Sequence, residues 1–501
     1  MRPVTQILSE LRELEVRIWL DADQLRYRAP SGVLGPERIA ELRERKAEII
    51  AHLAGFQAGL SVRIPVRPKE SGNAPLSAAQ NRLWLLDQVE GPSATYNIPV
   101  ARRLRGPLDL AALEMALARV HLKHETLRTS IVMVDGLPRQ RVSAALALPL
   151  TRVDFSHLSL ADAEAAVRIL VSEEADRPFD LEAAPLWRVL ILRLSERDHV
   201  LAMTFHHLVA DGWSMGVLCR ELEAAYASHI DGRPTLVEDL PVQYGDYAHW
   251  QAAVDEGRDS ARSIAYWRQK LADAPPLLQL FPQRSRPAKQ GYRGQTLAFE
   301  IEEPVATRLK RLANDSGSSL FMVLLTVFVV LVRRYVPRDD IVLGTPVANR
   351  DRPELEPLIG FFTNYLVLRI DVGGDPDFRA LLQRVRDVAL EAYEHQAISF
   401  DKLVEAVGGA RDASYTPLVQ IMFMLHVQEM DKLDLPGVAA ETFDIPVHTA
   451  KCDLTFGLKE HAGKLTGEVI YNVDIFSVKD IERLIAHFVE LASGAAASPD
   501  R

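Results

Sequence analysis

Residues 199–214 read HVLAMTFHHLVADGWS. Strand side chains alternate between faces, so Leu201, Met203, Phe205 and His207 share one face and Val200, Ala202, Thr204 and His206 the other. The two histidines then point in opposite directions. That argues against a metal site using both, and no third Cys, His or Asp with zinc spacing lies nearby. A serine-hydrolase triad fits little better. Ser214 lies outside a Gly-x-Ser-x-Gly elbow and opens a helix striped by Met215, Leu218, Leu222 and Ala225, so it reads as a cap. Two readings stay open. A histidine at a strand end is commonly a satisfied structural residue. Alternatively, one imidazole manages a proton between two bound substrates, as in an acyltransferase that works by direct attack. On that reading Asp211, across a tight turn at Gly212, fixes the imidazole directly or holds the loop through an arginine. The Gly212 N–H then faces the developing oxyanion.

Outward from this stretch, the chain alternates strand-like and helical segments in two passes of similar order. The first has strands at 98–104, 140–144, 186–192 and 199–206 and helices at 107–121 and 160–175. The second has strands at 296–301, 340–344, 417–425 and 466–472 and helices at 303–315, 319–335 and 376–394. Two similar α/β lobes, 75–255 and 256–501, are expected, with a cleft between them that suits a ligand. The run Leu320–Val332 is 13 residues long, whereas a membrane span needs about 20. It reads as a helix buried in a large domain.

Residues 1–55 form a separate α-β-β-α unit. Val4, Ile7, Leu8, Leu11 and Leu14 mark an amphipathic helix, and a hairpin turns at Asp21–Asp23. Pro36, behind a possible Gly35 cap, opens a second helix striped by Ile39, Leu42, Lys46, Ile49 and Leu53. The hairpin's polar face groups Trp19 with Arg17, Arg26 and Arg28, either as a solvated surface or as a strand edge that accepts a peptide. Residues 56–74 are rich in Gly and Pro and read as a linker.

With 58 Lys+Arg against 68 Asp+Glu, the formal charge of -10 lacks the basic footprint of a nucleic-acid binder. Cys219 and Cys452 are the only cysteines and lie far apart, which suits a reducing cytoplasm and offers no metal site. The N-terminus carries charges through its apolar positions and has no signal-peptide core. The small-residue tail SGAAASPDR suggests an excised part of a longer chain.

The sequence resembles condensation domains of nonribosomal peptide synthetases, whose signature is His-His-x-x-x-Asp-Gly. LSAAQNRLWLLDQ (76–88), KHETLRTSI (123–131), QYGDYAHWQ (243–251), IGFFTNYLVLR (359–369), HQAISFDKLV (395–404) and RDASYTPLVQIMF (411–423) are similar to the family's other motifs and stand in its order. The likeness covers residues 75 to about 490. Three departures are visible. Lys123 replaces an arginine, Gly360 to Tyr365 keeps only the asparagine of Val-Asn-Thr, and His395 to Phe400 departs from His-Gln-Asp-x-Pro-Phe. The last two bear on the pocket or the lobe contact.

The resemblance implies two chloramphenicol-acetyltransferase-like lobes forming a V with a central tunnel. It implies amide formation, in which the amine of an acceptor aminoacyl thioester attacks a donor thioester. Both are carried on phosphopantetheine arms of carrier domains, with no cofactor held by the chain itself. By position, His207 is the reacting histidine, Gly212 lines the meeting point of the arms, and His206 and Asp211 are structural. Arg350 or Arg128 is expected as the partner of Asp211, with Trp213 and Asn364 supporting the site.

Residues 1–55 resemble TubC-like docking domains, whose hairpin recruits a C-terminal segment of the preceding synthetase protein. Arg17, Trp19, Arg26 and Arg28 would then bind an acidic tail, and the donor would arrive on a separate protein. YNIPVARRLRGPLD (96–109) resembles members that accept L-configured donors. Epimerisation domains of the same fold, and non-catalytic recruiting platforms that usually lose the second histidine, are the rivals. Cyclisation domains, with Asp in place of the histidine pair, are excluded.

Overall fold

The computed structural model describes residues 17–21, 24–28, 42–50, 63–67, 73–233, 239–254, 258–281, 285–408, 412–426, 432–461 and 463–500. Two compact units divide the chain, Met1–Pro65 and Val66–Arg501.

In the first unit, β1 (Arg17–Asp21) pairs antiparallel with β2 (Gln24–Arg28). The register sets Arg17 opposite Arg28 and Trp19 opposite Arg26. These are alternate positions of the ladder, the spacing at which residues of a strand share a face. Leu42 and Ile49 are buried in the helical segment that follows. The expected first helix, Gly35, Pro36 and much of the linker lie outside the described residues.

The second unit holds β3 (Asn73–Pro75), α1 (Ala78–Glu90), β4 (Asn97–Arg105), α2 (Leu110–Lys123), β5 (Thr129–Val134), β6 (Leu137–Val142), β7 (Leu150–Asp154), α3 (Leu160–Asp176), β8 (Trp187–Ser195), β9 (Asp198–His206), α4 (Gly212–Ile230), α5 (Tyr244–Val254) and α6 (Arg258–Lys270). Then come β10 (Gly294–Ile301), α7 (Glu303–Asp315), α8 (Leu320–Tyr335), β11 (Asp340–Val347), β12 (Asn364–Asp371), α9 (Phe378–Glu394), α10 (Phe400–Val407), β13 (Ile421–His426), β14 (Ala439–Thr442), β15 (Leu454–His461), β16 (Lys464–Asn472) and α11 (Val478–Ala497).

One mixed sheet runs β14-β4-β9-β8-β7 and a second β10-β16-β15-β13-β11-β12. The strand β14 comes from the later half of the chain yet pairs with β4, so the two halves are joined through a sheet as well as through the backbone. The alternation in β9 decides how its sheet is sandwiched. Leu201, Met203 and Phe205 pack with Leu113 and Leu117 of α2 and Leu218 and Leu222 of α4. Val200 and Ala202 face Ala163, Val167 and Val171 of α3. The second sheet is covered by α7, α8, α9 and α11, with Phe328, Phe423, Phe456 and Phe488 at its centre.

The apolar run at 320–332 is the buried helix α8, and no single helix among the described residues is long and apolar enough to cross a membrane. Several boundaries differ from expectation. The helix α2 begins at Leu110 because Asp109 accepts from the Ala112 N–H and caps it there. The first five residues of the small-residue tail, Ser493 to Ala497, complete α11, with Ala495 buried.

Candidate active site

The imidazole of His207 sits just past the end of β9. Its backbone N–H donates to the Tyr96 carbonyl at 2.7 Å, which extends the β4 pairing by one residue and fixes where the side chain departs. The ring meets the edge of Phe361 at 4.6 Å between centroids. It is half-buried, and its Nδ1 is buried with no hydrogen-bond partner among the described residues. Burial, with the positive charges of Lys451 and Arg82 nearby, holds His207 well below the usual imidazole range, so it is neutral at physiological pH.

The paired histidine has a different setting. His206 is buried, accepts the Leu208 N–H at Nδ1, and lies edge-on to Phe179 at 6.0 Å. Burial pushes it down to about 3. It is a core residue.

Asp211 is the N-cap of α4: its Oδ1 accepts from the Ser214 N–H at 2.9 Å and the Ser214 hydroxyl at 2.7 Å. Ser214 is therefore the third helical residue of a capping box, and the cap itself is Asp211. The same carboxylate reaches the 359–363 loop of the later half. Its Oδ2 accepts from the Phe362 N–H at 3.0 Å, and the Arg350 guanidinium donates to Oδ1 at 3.2 Å. Arg350 is itself held by the Leu355 and Leu358 carbonyls at 2.6 and 2.7 Å and lies over the Phe362 ring at 4.0 Å. Asp211 makes no bond to His207 among the described residues; it fixes the loop whose Phe361 touches the imidazole.

Of the two arginines expected for Asp211, Arg128 is elsewhere. It donates to the carbonyls of His121, Leu122 and Ser143, closing the C-terminal end of α2, where orphan carbonyls need donors. The segment around it still supports the loop: the Thr126 hydroxyl donates to the Ile359 carbonyl at 2.7 Å and the Ile359 N–H to His124 Nδ1 at 3.2 Å. The substituted Lys123 pairs with Glu221 at 2.7 Å.

Trp213 Nε1 donates to the Glu356 carbonyl at 3.0 Å. Asn364 holds the 396–400 segment, donating to the Gln396 and Ile398 carbonyls and accepting the Phe400 N–H at 2.9 Å. Gly212 is exposed, and a Cβ on it would meet nothing within 4 Å, so open space lies before the α4 N-terminus.

Three participants escaped the sequence reading. Tyr244 donates to the Phe361 carbonyl at 2.6 Å, and its ring fills the space where a Cβ on Gly360 would fall, 2.1 Å away, so only glycine fits there. Arg82 and Lys451 face the site from α1 and from the segment before β15. Nothing local marks them, because their proximity is tertiary.

Residues 70–501 match the condensation domain family, and residues 4–54 match the TubC N-terminal docking domain. One component of the linear gramicidin synthase of Brevibacillus parabrevis is 40% identical over 458 residues, covering 91% of this chain and 9% of that protein. Phosphinothricin tripeptide synthetase PhsC of Streptomyces viridochromogenes is 39% identical over 443 residues, 87% of this chain and 40% of that protein. The chain spans less than a tenth of the gramicidin synthase proteins it matches. Among solved structures, the X-domain from teicoplanin biosynthesis superposes with a TM-score of 0.78 at 29% identity, covering 87% of this chain and 97% of that one. The four-domain nonribosomal peptide synthetase AB3403 gives 0.76 at 26%, covering 86% and 33%. The mixed α/β architecture is the chloramphenicol-acetyltransferase-like fold these neighbours share.

Proposed function

The chain belongs to the condensation domains of nonribosomal peptide synthetases, acyltransferases that form amide bonds, and from that premise we propose that it joins two carrier-bound thioesters at His207. The observation that carries the reading is a half-buried imidazole with no hydrogen-bond partner at Nδ1 among the described residues, set against Phe361 of the loop that Asp211 clamps.

The acceptor amine attacks the donor thioester carbonyl, the C–N bond forms, and the C–S bond breaks to leave a thiol on the donor arm. A free α-amine has a pKa of about 7.7–8.0, so an appreciable neutral fraction exists near pH 7 without a strong base. The tetrahedral intermediate carries a far more acidic N–H. A weakly basic His207 suffices to take that proton, and passing it to the departing sulfur balances the step. The Gly212 N–H at the start of α4 is aimed toward the developing oxyanion, where the helix terminus favours negative charge.

Both substrates arrive on phosphopantetheine arms of carrier domains, the donor L-configured and supplied by an upstream synthetase protein. The hairpin face of Arg17, Trp19, Arg26 and Arg28 binds that protein's acidic C-terminal segment, and the chain works in the cytoplasm. Residues 1–55 serve as the docking module, 56–74 as linker, and 75–255 and 256–501 as the two lobes. Arg350, His206, Trp213 and Asn364 hold the site without touching substrate.

The likeness to an X-domain, a structure also solved as a complex with OxyB, favours one rival, a platform that recruits a partner without catalysis. Intact-mass detection of a dipeptidyl thioester on preloaded carriers separates the two. His207→Ala is expected to lower its formation by about 10²–10⁴-fold; an undiminished rate would overturn the assignment.

A further inference from the structure

The wall beside His207 carries a positive charge that nothing among the described residues neutralises. Lys451 lies between β14 and β15, where the flanking backbone is pinned: the Ala450 N–H donates to the Tyr292 carbonyl at 2.8 Å, and Thr449 bridges Arg293. Its ammonium stands 5.8 Å from the Tyr96 ring centroid, and the Tyr96 carbonyl is the one that holds the His207 N–H. Lys451 is half-buried and, among the described residues, has no hydrogen bond or ion pair.

The remaining groups do not supply the missing anion. Arg82 of α1 is a second cation, 4.0 Å from Asp401 and 4.8 Å from the Tyr365 ring centroid; Asp453 is paired with Arg286 at 2.5 Å, and Glu90, exposed at the end of α1, accepts from the Tyr292 hydroxyl at 3.0 Å, so each of these carboxylates already has a partner. Burial raises the Tyr96 and Tyr365 hydroxyls and pushes the Cys452 thiol up to about 11, which leaves all three neutral. Among the groups that act on Lys451 itself, Arg82 is a like charge and no carboxylate is present. Burial pushes Lys451 down to about 8, the mark of an ammonium losing hydration without gaining a counter-ion. A buried charge in that state is costly, and an arriving anion relieves the cost.

We propose that Lys451 is a specificity residue, which selects a carrier-bound substrate whose side chain bears a carboxylate and places that carboxylate beside His207. The assignment rests on the amide-forming reading, which is what would bring a carrier-bound substrate to His207 and so to Lys451. A neutral side chain of equal size leaves the ammonium as it is. A carboxylate forms a charge-assisted hydrogen bond with it.

Matched carriers loaded with Glu or Gln test this in two arms, the pair varied once as donor and once as acceptor against a neutral partner. The expected result at pH 7 is a kcat/KM favouring Glu by about tenfold in one arm, with the Glu/Gln ratio falling to near one in Lys451→Met and staying high in Lys451→Arg. In the unaltered chain, the ratio is expected to decline as pH rises through about 8, where Lys451 loses its proton; this readout needs no variant. Equal use of Glu and Gln in both arms, or a preference that survives Lys451→Met, overturns the assignment alone. No product from any pair overturns the amide-forming reading and the assignment with it.

Discussion

Asp211 and His207 are four residues apart and differ in almost every contact. The aspartate is buried and receives donors at both oxygens: two from Ser214, one from Arg350 and one from the Phe362 backbone. The histidine ring has no acid, no cap and no hydrogen bond at its buried Nδ1 among the described residues. The aspartate's charge is engaged by structural donors, whereas among the described residues His207 is held by its backbone N–H and by Phe361. A site built this way keeps its imidazole neutral and available, and locates it by clamping the loop it leans on.

The contrast breaks if the two residues respond alike to removal. His207→Ala is expected to abolish most dipeptide formation while leaving the unfolding midpoint nearly unchanged. Asp211→Ala strands the Arg350 guanidinium in the interior and is expected to cost about 3–5 kcal/mol of stability, read as a lowered urea midpoint. Activity is expected to fall with it, because the loop carrying Phe361 loses its anchor at Phe362 and keeps those at Ile359 and Tyr244. Normal stability in Asp211→Ala would show that the clamp is redundant.

Half of this contrast was legible in the sequence. The period-two pattern of 199–206 separates the histidines, since it needs only local alternation, and β9 places Leu201, Met203 and Phe205 against α2 and α4 as that pattern requires. The helices expected at 303–315 and 319–335 were equally readable, and the second begins one residue later, at Leu320. The clamp was not legible in the local pattern: Arg350 and Phe362 are 139 and 151 residues from Asp211, so Arg350 entered only as one of two candidates implied by the resemblance, and Phe362 not at all. The strands β12 and β15 went unread because they are buried on both faces for much of their length, without the alternation that marks a half-exposed strand. The helix α11 went unread although Ile481, Leu484, Phe488, Ala492 and Ala495 stripe one face, because its run of small residues at 493–497 looks like a tail until it is packed.

A second way to sharpen the comparison uses the neighbouring histidine. His206 has a folded-state pKa near 3 against an ordinary 6.5, so its proton affinity is depressed by folding. Above about pH 6.5 both states are neutral and the group has no effect. As pH falls from there toward 3, the unfolded chain binds a proton that the native state refuses, and stability is lost. At about 1.4 kcal/mol per pH unit, the acid loss from this residue reaches several kcal/mol. His206→Asn is expected to flatten that part of a stability-versus-pH curve measured by urea unfolding. An unchanged acid limb would mean that other groups carry it.

The smallest effect is expected at the other end of the chain, in the hairpin. Its register sets Arg17 against Arg28 and Trp19 against Arg26, which brings three cations and an aromatic to neighbouring ladder positions. Ion pairs between solvent-exposed groups gain only about 0.2–1 kcal/mol each and are screened by salt. Binding of an acidic peptide, measured by calorimetry, is therefore expected to weaken several-fold between low and high ionic strength, and Arg26→Ala to cost no more than about fivefold. Trp19→Ala should cost more than any single arginine, because an aromatic anchor loses apolar area that salt does not screen. If affinity proves indifferent to salt yet collapses in Trp19→Ala, the hairpin reads its partner through apolar contact, and the three arginines serve only its solubility.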